Sequence, residues 1–322
     1  MTTAVIIPAY NEAATIRDVI TAFHAELPDA EIVVVDNNSS DNTQQIARNA
    51  LTAVGGGDVL FEKRQGKAHA VKKAFLEVNA DYYVLVDADM TYSAGDVHAL
   101  LRPVIERGVD MVVGDRHAHG RYKHQNKRIF HNFGNHLVRR LIRLLFQGGL
   151  KDILSGYRAF NRKFVKNFPI LSSDFAIETE LTLHALDKNF SVEEVPVSYR
   201  DRPAGSVSKL NTYVDGLKII RLILSIFKDY RPLSFFSAIS FIFFMLGAVI
   251  GVPVIVEFID HQYIYKVPSA ILASGLMIFS IIFFSIGVTL DTVVSKQRFM
   301  YHLHLLHYQE TESRSEETAR NS

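Results

Sequence analysis

Along the first 115 or so residues, short apolar runs alternate with longer amphipathic stretches. Ala4–Ile7, Glu31–Asp36, Val59–Phe61, Tyr82–Asp87 and Met111–Gly114 have the length and apolar density of buried strands. Ile16–Ala25, Thr43–Ala53, Lys67–Val78 and Asp96–Arg107 repeat apolar residues at helical spacing. Strands alternating with helices predict an α/β fold, a parallel sheet covered by helices. Ligands of such sheets sit outside the carboxyl ends of the strands. Four predicted strand ends carry polar clusters: Pro8–Glu12, Asp36–Asp41, Asp87–Asp89 and Gly114–Arg116.

The pattern changes near the C-terminus. Leu233–Val256 and Val267–Leu290 are uncharged runs of 24 residues each, and a helix needs about 20 to cross a hydrocarbon core. The turn between them carries Tyr263 and Tyr265 at interfacial positions. Lys218, Arg221, Lys228 and Arg231 precede the first run, and Lys296 and Arg298 follow the second. The positive-inside bias then predicts a hairpin in the cytoplasmic (inner) membrane with both termini in the cytoplasm. The opening MTTAVIIPAY lacks the basic and apolar regions of a signal peptide. Four regions are predicted: a cytoplasmic α/β domain over 1–210, an amphipathic interface helix over 211–232, a transmembrane hairpin over 233–290, and a basic helix with a disordered tail over 291–322.

Composition removes several alternatives. With 35 Lys+Arg against 34 Asp+Glu the net charge is +1, which argues against a nucleic-acid binder. The absence of cysteine excludes disulfides, thiolate metal sites and a cysteine nucleophile. The balanced total conceals a local excess, because Gly114–Phe168 holds thirteen Lys/Arg and only Asp115 and Asp152 as acids. A solvated basic face is the plain explanation; between a strand-end cleft and a membrane anchor, it also suits anionic headgroups or an anionic substrate. His302, His304 and His307 are too scattered around a helix to form a metal site.

Asp87 and Asp89 stand two apart at the end of an apolar strand. If the chain turns there, both carboxylates face the cleft. Two hard oxygen donors suit Mg²⁺ or Mn²⁺, which bind through one or two carboxylates together with substrate phosphates. Asp36 ends a second strand, where it can cap the next helix or accept the imide N–H of a uracil. Gly66-Lys67 opens a helix whose free N–H groups suit phosphate.

In order along the chain stand PAYNE (8–12), VDNNSSDNT (35–43), GK (66–67), DAD (87–89), GDR (114–116), DILSGYR (152–158), IETEL (177–181) and RPAGSVSK (202–209). This set resembles the family 2 glycosyltransferases of GT-A (Rossmann-like) fold. With the C-terminal hairpin it is similar to the polyprenyl-phosphate glycosyltransferases, the group that includes dolichyl-phosphate mannose synthase. The resemblance, over about residues 4–290, implies a nucleotide-sugar donor, a polyprenyl phosphate acceptor, a divalent metal and a membrane partner. It implies that Pro8, Tyr10, Glu12 and Asp36 hold the nucleoside and Lys67 its phosphates. Asp87 lies at the ribose and metal side, and Asp89 ligates the metal. It further implies that Arg116, Lys127 and Arg128 meet the acceptor phosphate, with Ser155 and Arg158 on the acceptor side and Glu178 on the sugar side. Arg202, Ser208 and Lys209 belong to a loop closing over the diphosphate. Two positions depart from the pattern: Ala68 stands where relatives often have a third glycine, and Thr91 where some have a glutamine ligand.

The reaction so implied is transfer of one sugar from a UDP-sugar to undecaprenyl phosphate, with inversion. Three alternatives stand beside it. A processive polysaccharide synthase uses a Gln-x-x-Arg-Trp motif, and this chain has no tryptophan. Transfer to a saccharide hydroxyl would make Glu178 or Glu180 a base. A non-catalytic membrane subunit would have no need of the acid pair. A homo-oligomer is compatible with the sequence and not required by it.

Overall fold

The computed structural model describes residues 1–116, 150–169, 177–200 and 224–320, the last nine of these as backbone helix only. Lys127, Arg128, Arg202, Ser208 and Lys209 lie outside the described residues, as do 117–149 of the basic segment and 211–223 of the predicted interface helix. Residues 224–230 of that helix are described and are helical. The chain divides into two units, Met1–Thr212 and Tyr213–Ser322.

In the first unit the strands are β1 (Thr3–Ala9), β2 (Glu31–Asp36), β3 (Asp58–Phe61), β4 (Tyr82–Leu85), β5 (Met111–Asp115), β6 (Arg158–Asn161) and β7 (Val192–Pro196). The helices are α1 (Ile16–Glu26), α2 (Thr43–Val54), α3 (Lys67–Glu77), α4 (Val97–Arg107), α5 (Arg162–Lys166) and α6 (Ile177–Asp187). The strands form one sheet in the order β3-β2-β1-β4-β6-β5-β7. β6 runs antiparallel to both β4 and β5, and the other pairings are parallel. The carboxyl ends of six strands and the amino end of β6 therefore share one edge. Strand order reverses between β1 and β4, the switch point where such sheets open a crevice.

Burial explains the pattern. Val5, Ile7, Ile32, Val34, Val84 and Val112 of the sheet pack with Ile16, Ile20, Phe23, Leu100 and Val104 of the helices in one core. The amphipathic stretches became helices because their apolar stripe covers this sheet. A second cluster backs α6. His184 lies 7% exposed, with its ring 6.0, 5.0 and 5.8 Å from those of Phe164, Phe168 and Phe190. Burial lowers its pKa to about 4, with the Lys188 charge adding to the effect. The unfolded chain takes up this proton first, so the stabilisation is complete above pH 6.5 and is lost as pH falls toward 4. At pH 5 the loss amounts to about 2 kcal/mol. His184→Phe should remove that slope, read as a smaller drop in melting temperature between pH 7 and pH 5 than in the parent chain.

The second unit holds α7 (Pro232–His261) and α8 (Val267–Arg320). Both are long and apolar enough to cross a membrane. Their outer faces leave Phe241, Val249, Ile271 and Ile281 at least 62% exposed, a surface suited to lipid rather than water. The inner faces fit closely. The Ser240 hydroxyl donates to the Ser280 carbonyl at 2.8 Å, and a Cβ at Gly247 would sit 3.3 Å from the Ala273 carbonyl oxygen. Small residues here let the two helices approach.

α8 does not end where its apolar run ends. It continues as helix to Arg320, past Gln309, where the polar composition predicts disorder. Residues 291–320 contain neither Gly nor Pro, so no breaker stops a helix already nucleated inside the span. At 54 residues it is about 80 Å long, far more than a bilayer crossing needs.

Candidate active site

The exits of β1, β2 and β4 each pass through a left-handed residue: Asn11 (φ 54°), Asn38 (φ 59°) and Met90 (φ 60°). Asparagine tolerates this conformation, whereas a methionine is strained there, and such strain gathers at functional turns. The first two loops are laced together. Asn11 N–H donates to Ser39 Oγ at 3.0 Å, Ser40 N–H donates to Asn11 Oδ1 at 2.8 Å, and Glu12 N–H donates to Thr43 Oγ1 at 2.8 Å. Asn37 extends the lacing to the exit of β3. Its side-chain amide donates to the Arg64 carbonyl at 2.6 Å, and its Oδ1 accepts from Gly66 N–H at 2.7 Å.

Asp36 sits at the floor of this assembly, 2% exposed. Its Oδ1 is buried and has no hydrogen-bond partner among the described residues. Buried carboxylate oxygens are normally paired, so this atom lacks a donor that a ligand would bring. Pro8 is half-buried at the end of β1, and Tyr10, 37% exposed, receives the Gln65 side-chain amide on its hydroxyl at 3.3 Å.

β4 ends at Leu85, so Asp87 and Asp89 lie on a turn and not in an extended strand. Asp89 is 5% exposed. Thr91, 1% exposed, orients it: the Thr91 hydroxyl donates to Asp89 Oδ1 at 2.6 Å and its backbone N–H donates to the same oxygen at 3.2 Å. Thr91, one of the two positions that depart from the expected pattern, thus holds the aspartate. Thr15 fixes the turn from the α1 side, its hydroxyl donating to the Ala88 carbonyl at 2.7 Å.

Asp87 is cradled by Gly156, where a Cβ would come within 2.5 Å of Asp87 Oδ2. Gly156 N–H in turn donates to the Tyr92 hydroxyl at 2.9 Å. The Lys67 ammonium, on the first residue of α3, bonds to Asp87 Oδ1 and, at 2.6 Å, to Glu178 Oε1 from the first turn of α6. Burial opposes the Lys67 charge, but the Asp87 and Glu178 carboxylates outweigh it and raise its pKa. Three elements distant in sequence thereby converge on one ammonium. Among the described residues no group of three or more His, Asp and Glu is arranged to hold a metal ion. The donor set still suits a divalent cation completed by phosphate, which needs only one or two protein carboxylates.

Three expected site residues have other duties. Arg158, expected on the acceptor side, is fully buried. Its guanidinium donates to the carbonyls of Ser155, Ile153 and Glu178 at 2.9, 2.6 and 2.9 Å and to the Thr182 hydroxyl at 3.0 Å. Burial lowers its pKa to about 10, which leaves it charged at neutral pH. Ser155 is buried as well, beside Tyr92. Arg116 forms a two-pronged pair with Asp152 at 2.7 and 2.8 Å and lies over the Tyr199 ring at 5.4 Å, so its charge is matched within the protein. Strand-end position and residue type gave no hint of these partners, because they arrive from the loop before β6, from α6 and from the segments after β4 and β7.

Residues 4–168 match the family described as Glycosyl transferase family 2. Glycosyltransferase AglJ of Haloferax volcanii is 31% identical over 295 residues, 91% of this chain and 94% of its own. Polyprenol monophosphomannose synthase of Mycolicibacterium smegmatis is 30% identical over 228 residues, 65% of this chain and 81% of its own. A crystal structure of glucosyl-3-phosphoglycerate synthase from Mycobacterium tuberculosis, in complex with Mn²⁺, UDP-glucose and phosphoglyceric acid, superposes with TM-score 0.53 at 22% identity, over 70% of this chain and 79% of that one.

Proposed function

Since the chain belongs to glycosyl transferase family 2 and has the GT-A fold, we propose that it transfers one sugar from a nucleoside diphosphate sugar, UDP-linked, to a polyprenyl phosphate such as undecaprenyl phosphate. The work is placed at the cytoplasmic face of the inner membrane, and the lipid-linked monosaccharide made there serves cell-surface glycan modification. The observation that carries this is the gathering of Asp36, Lys67, Asp87, Asp89 and Glu178 at one sheet edge, in a chain that also holds two helices fit to cross a membrane. The similarity to a polyprenol monophosphomannose synthase supports the acceptor class.

Asp36 accepts the N–H of the base, with Pro8, Tyr10 and Glu12 around the nucleoside. Asp87 and Asp89 would hold Mg²⁺ or Mn²⁺, which when bound would offset the charge growing on the diphosphate leaving group. Lys67 faces the phosphates from the start of α3, with Arg202, Ser208 and Lys209 added by their loop. Lys127 and Arg128 receive the lipid phosphate, and Arg116 anchors the beginning of that basic segment through Asp152. A phosphate oxygen of the acceptor forms the new bond to the sugar carbon as the bond to the diphosphate breaks, in line and with inversion. The acceptor is already an anion, since the second phosphate pKa is near 6, so no strong general base is required. Glu178 then orients Lys67 at the sugar side.

The test is to incubate the detergent-purified chain with labelled nucleotide sugars and undecaprenyl phosphate, with Mn²⁺, with Mg²⁺ and with a chelator. Label entering the organic phase in a metal-dependent way supports the proposal; label requiring a lipid-linked saccharide instead overturns it. The Asp36 assignment has its own check. Asp36→Ala should weaken UDP binding by about 10- to 100-fold, the value of a hydrogen bond to a charged group. Calorimetric titration measures this, and unchanged affinity would remove Asp36 from the nucleoside site.

A further inference from the structure

Lys67 occupies a position that helix energetics disfavours. It is the first residue of α3, where the macrodipole repels a cation, and the first turn holds no acid to offset it. Its side chain, 21% exposed, reaches instead across the crevice to Asp87 and Glu178, which are 29% and 12% exposed. Two carboxylates facing each other across a crevice repel, and one ammonium between them is the smallest device that keeps them together. A divalent cation entering at Asp87 and Asp89 would meet that ammonium at close range and like sign.

We propose that Lys67 is the internal counter-ion of the unloaded site: its ammonium holds Asp87 and Glu178 together until the divalent cation and the diphosphate arrive, then leaves Asp87 for the phosphates. The proposal rests on the assignment of the Asp87–Asp89 turn to the cation and diphosphate. It makes metal and nucleotide bind as a pair. The cation alone must displace the ammonium from Asp87 and leave it with Glu178 as its one carboxylate, whereas the diphosphate offers the ammonium a new anionic partner.

The test reads metal affinity directly, by the electron paramagnetic resonance signal of free Mn²⁺ over the full chain in detergent, alone and with UDP or GDP. The parent chain should bind Mn²⁺ weakly alone and about tenfold more tightly with the nucleotide. Lys67→Met should bind Mn²⁺ alone about tenfold more tightly than the parent and lose most of the gain from nucleotide, while Lys67→Arg should behave as the parent does. Lys67→Gln repeats the neutral case should the methionine variant fail to fold. If the neutral variants bind Mn²⁺ alone no better than the parent while Asp89→Asn abolishes binding, the counter-ion role is overturned and the metal site stands. If Asp89→Asn binds Mn²⁺ as the parent does, the underlying assignment falls and this proposal with it. A lysine that only touched phosphate would leave the metal-alone affinity unmoved.

Discussion

Asp89→Asn is expected to abolish sugar transfer while the protein stays folded. Asp89 is 5% exposed and has one oxygen held by Thr91. An asparagine can offer its carbonyl oxygen to the same two donors, so the turn keeps its shape. Its amide then stands where the second carboxylate oxygen was, neutral and with hydrogens directed at the position assigned to the cation. Losing one electrostatic partner of a developing charge costs about 10²- to 10³-fold in rate. The loss should appear as disappearance of organic-extractable label at any donor concentration, with an unchanged circular dichroism spectrum. Transfer at the parent rate would refute the metal role of this turn.

The second large effect concerns stability. Arg158→Met keeps the volume and removes the guanidinium donors to the carbonyls of Ile153, Ser155 and Glu178, leaving only the Thr182 hydroxyl for those of Glu178 and Ile153, at 3.0 and 3.5 Å. A buried acceptor left without a partner costs about 1–3 kcal/mol, and the two weakened carbonyls and the Thr182 hydroxyl add to it, so a total of about 3–5 kcal/mol is expected. For a domain of this size that corresponds to a fall of about 10 °C in melting temperature. Nucleotide binding should fall with it, because Arg158 joins the loop carrying Gly156, which cradles Asp87, to the helix carrying Glu178. Lysine in its place can satisfy only part of this set and should be intermediate. A variant that melts with the parent would show that the buried guanidinium is dispensable.

The first five strands and the four helices among them were legible because each buries one apolar stripe against a single sheet, and local periodicity records that. Their boundaries differ from expectation by a few residues; β4 stops at Leu85, where the Asp87–Asp89 turn takes over. β6 and β7 were not legible. Arg-Ala-Phe-Asn is too short to show alternation, and Val-Glu-Glu-Val-Pro, the sheet's end strand, carries two acids in the middle of its run. The site divides in the same way. Asp36, Lys67, Asp87 and Asp89 declare themselves by standing at strand and helix ends, whereas Glu178 entered through the family resemblance. The direction in which an arginine faces is set by tertiary partners, so Arg116 and Arg158 read alike in the sequence and only the fold separates a salt bridge from a buried clasp. Thr91 and Gly156 carry no chemical signature of their own; their importance lies in what they touch.

The most direct measurement is the mass of the lipid product formed when undecaprenyl phosphate and a lipid-linked saccharide compete for one labelled donor. A single sugar added to the lipid phosphate, and nothing longer, is the predicted result. A sugar joined to the saccharide, or a ladder of added units, would contradict it.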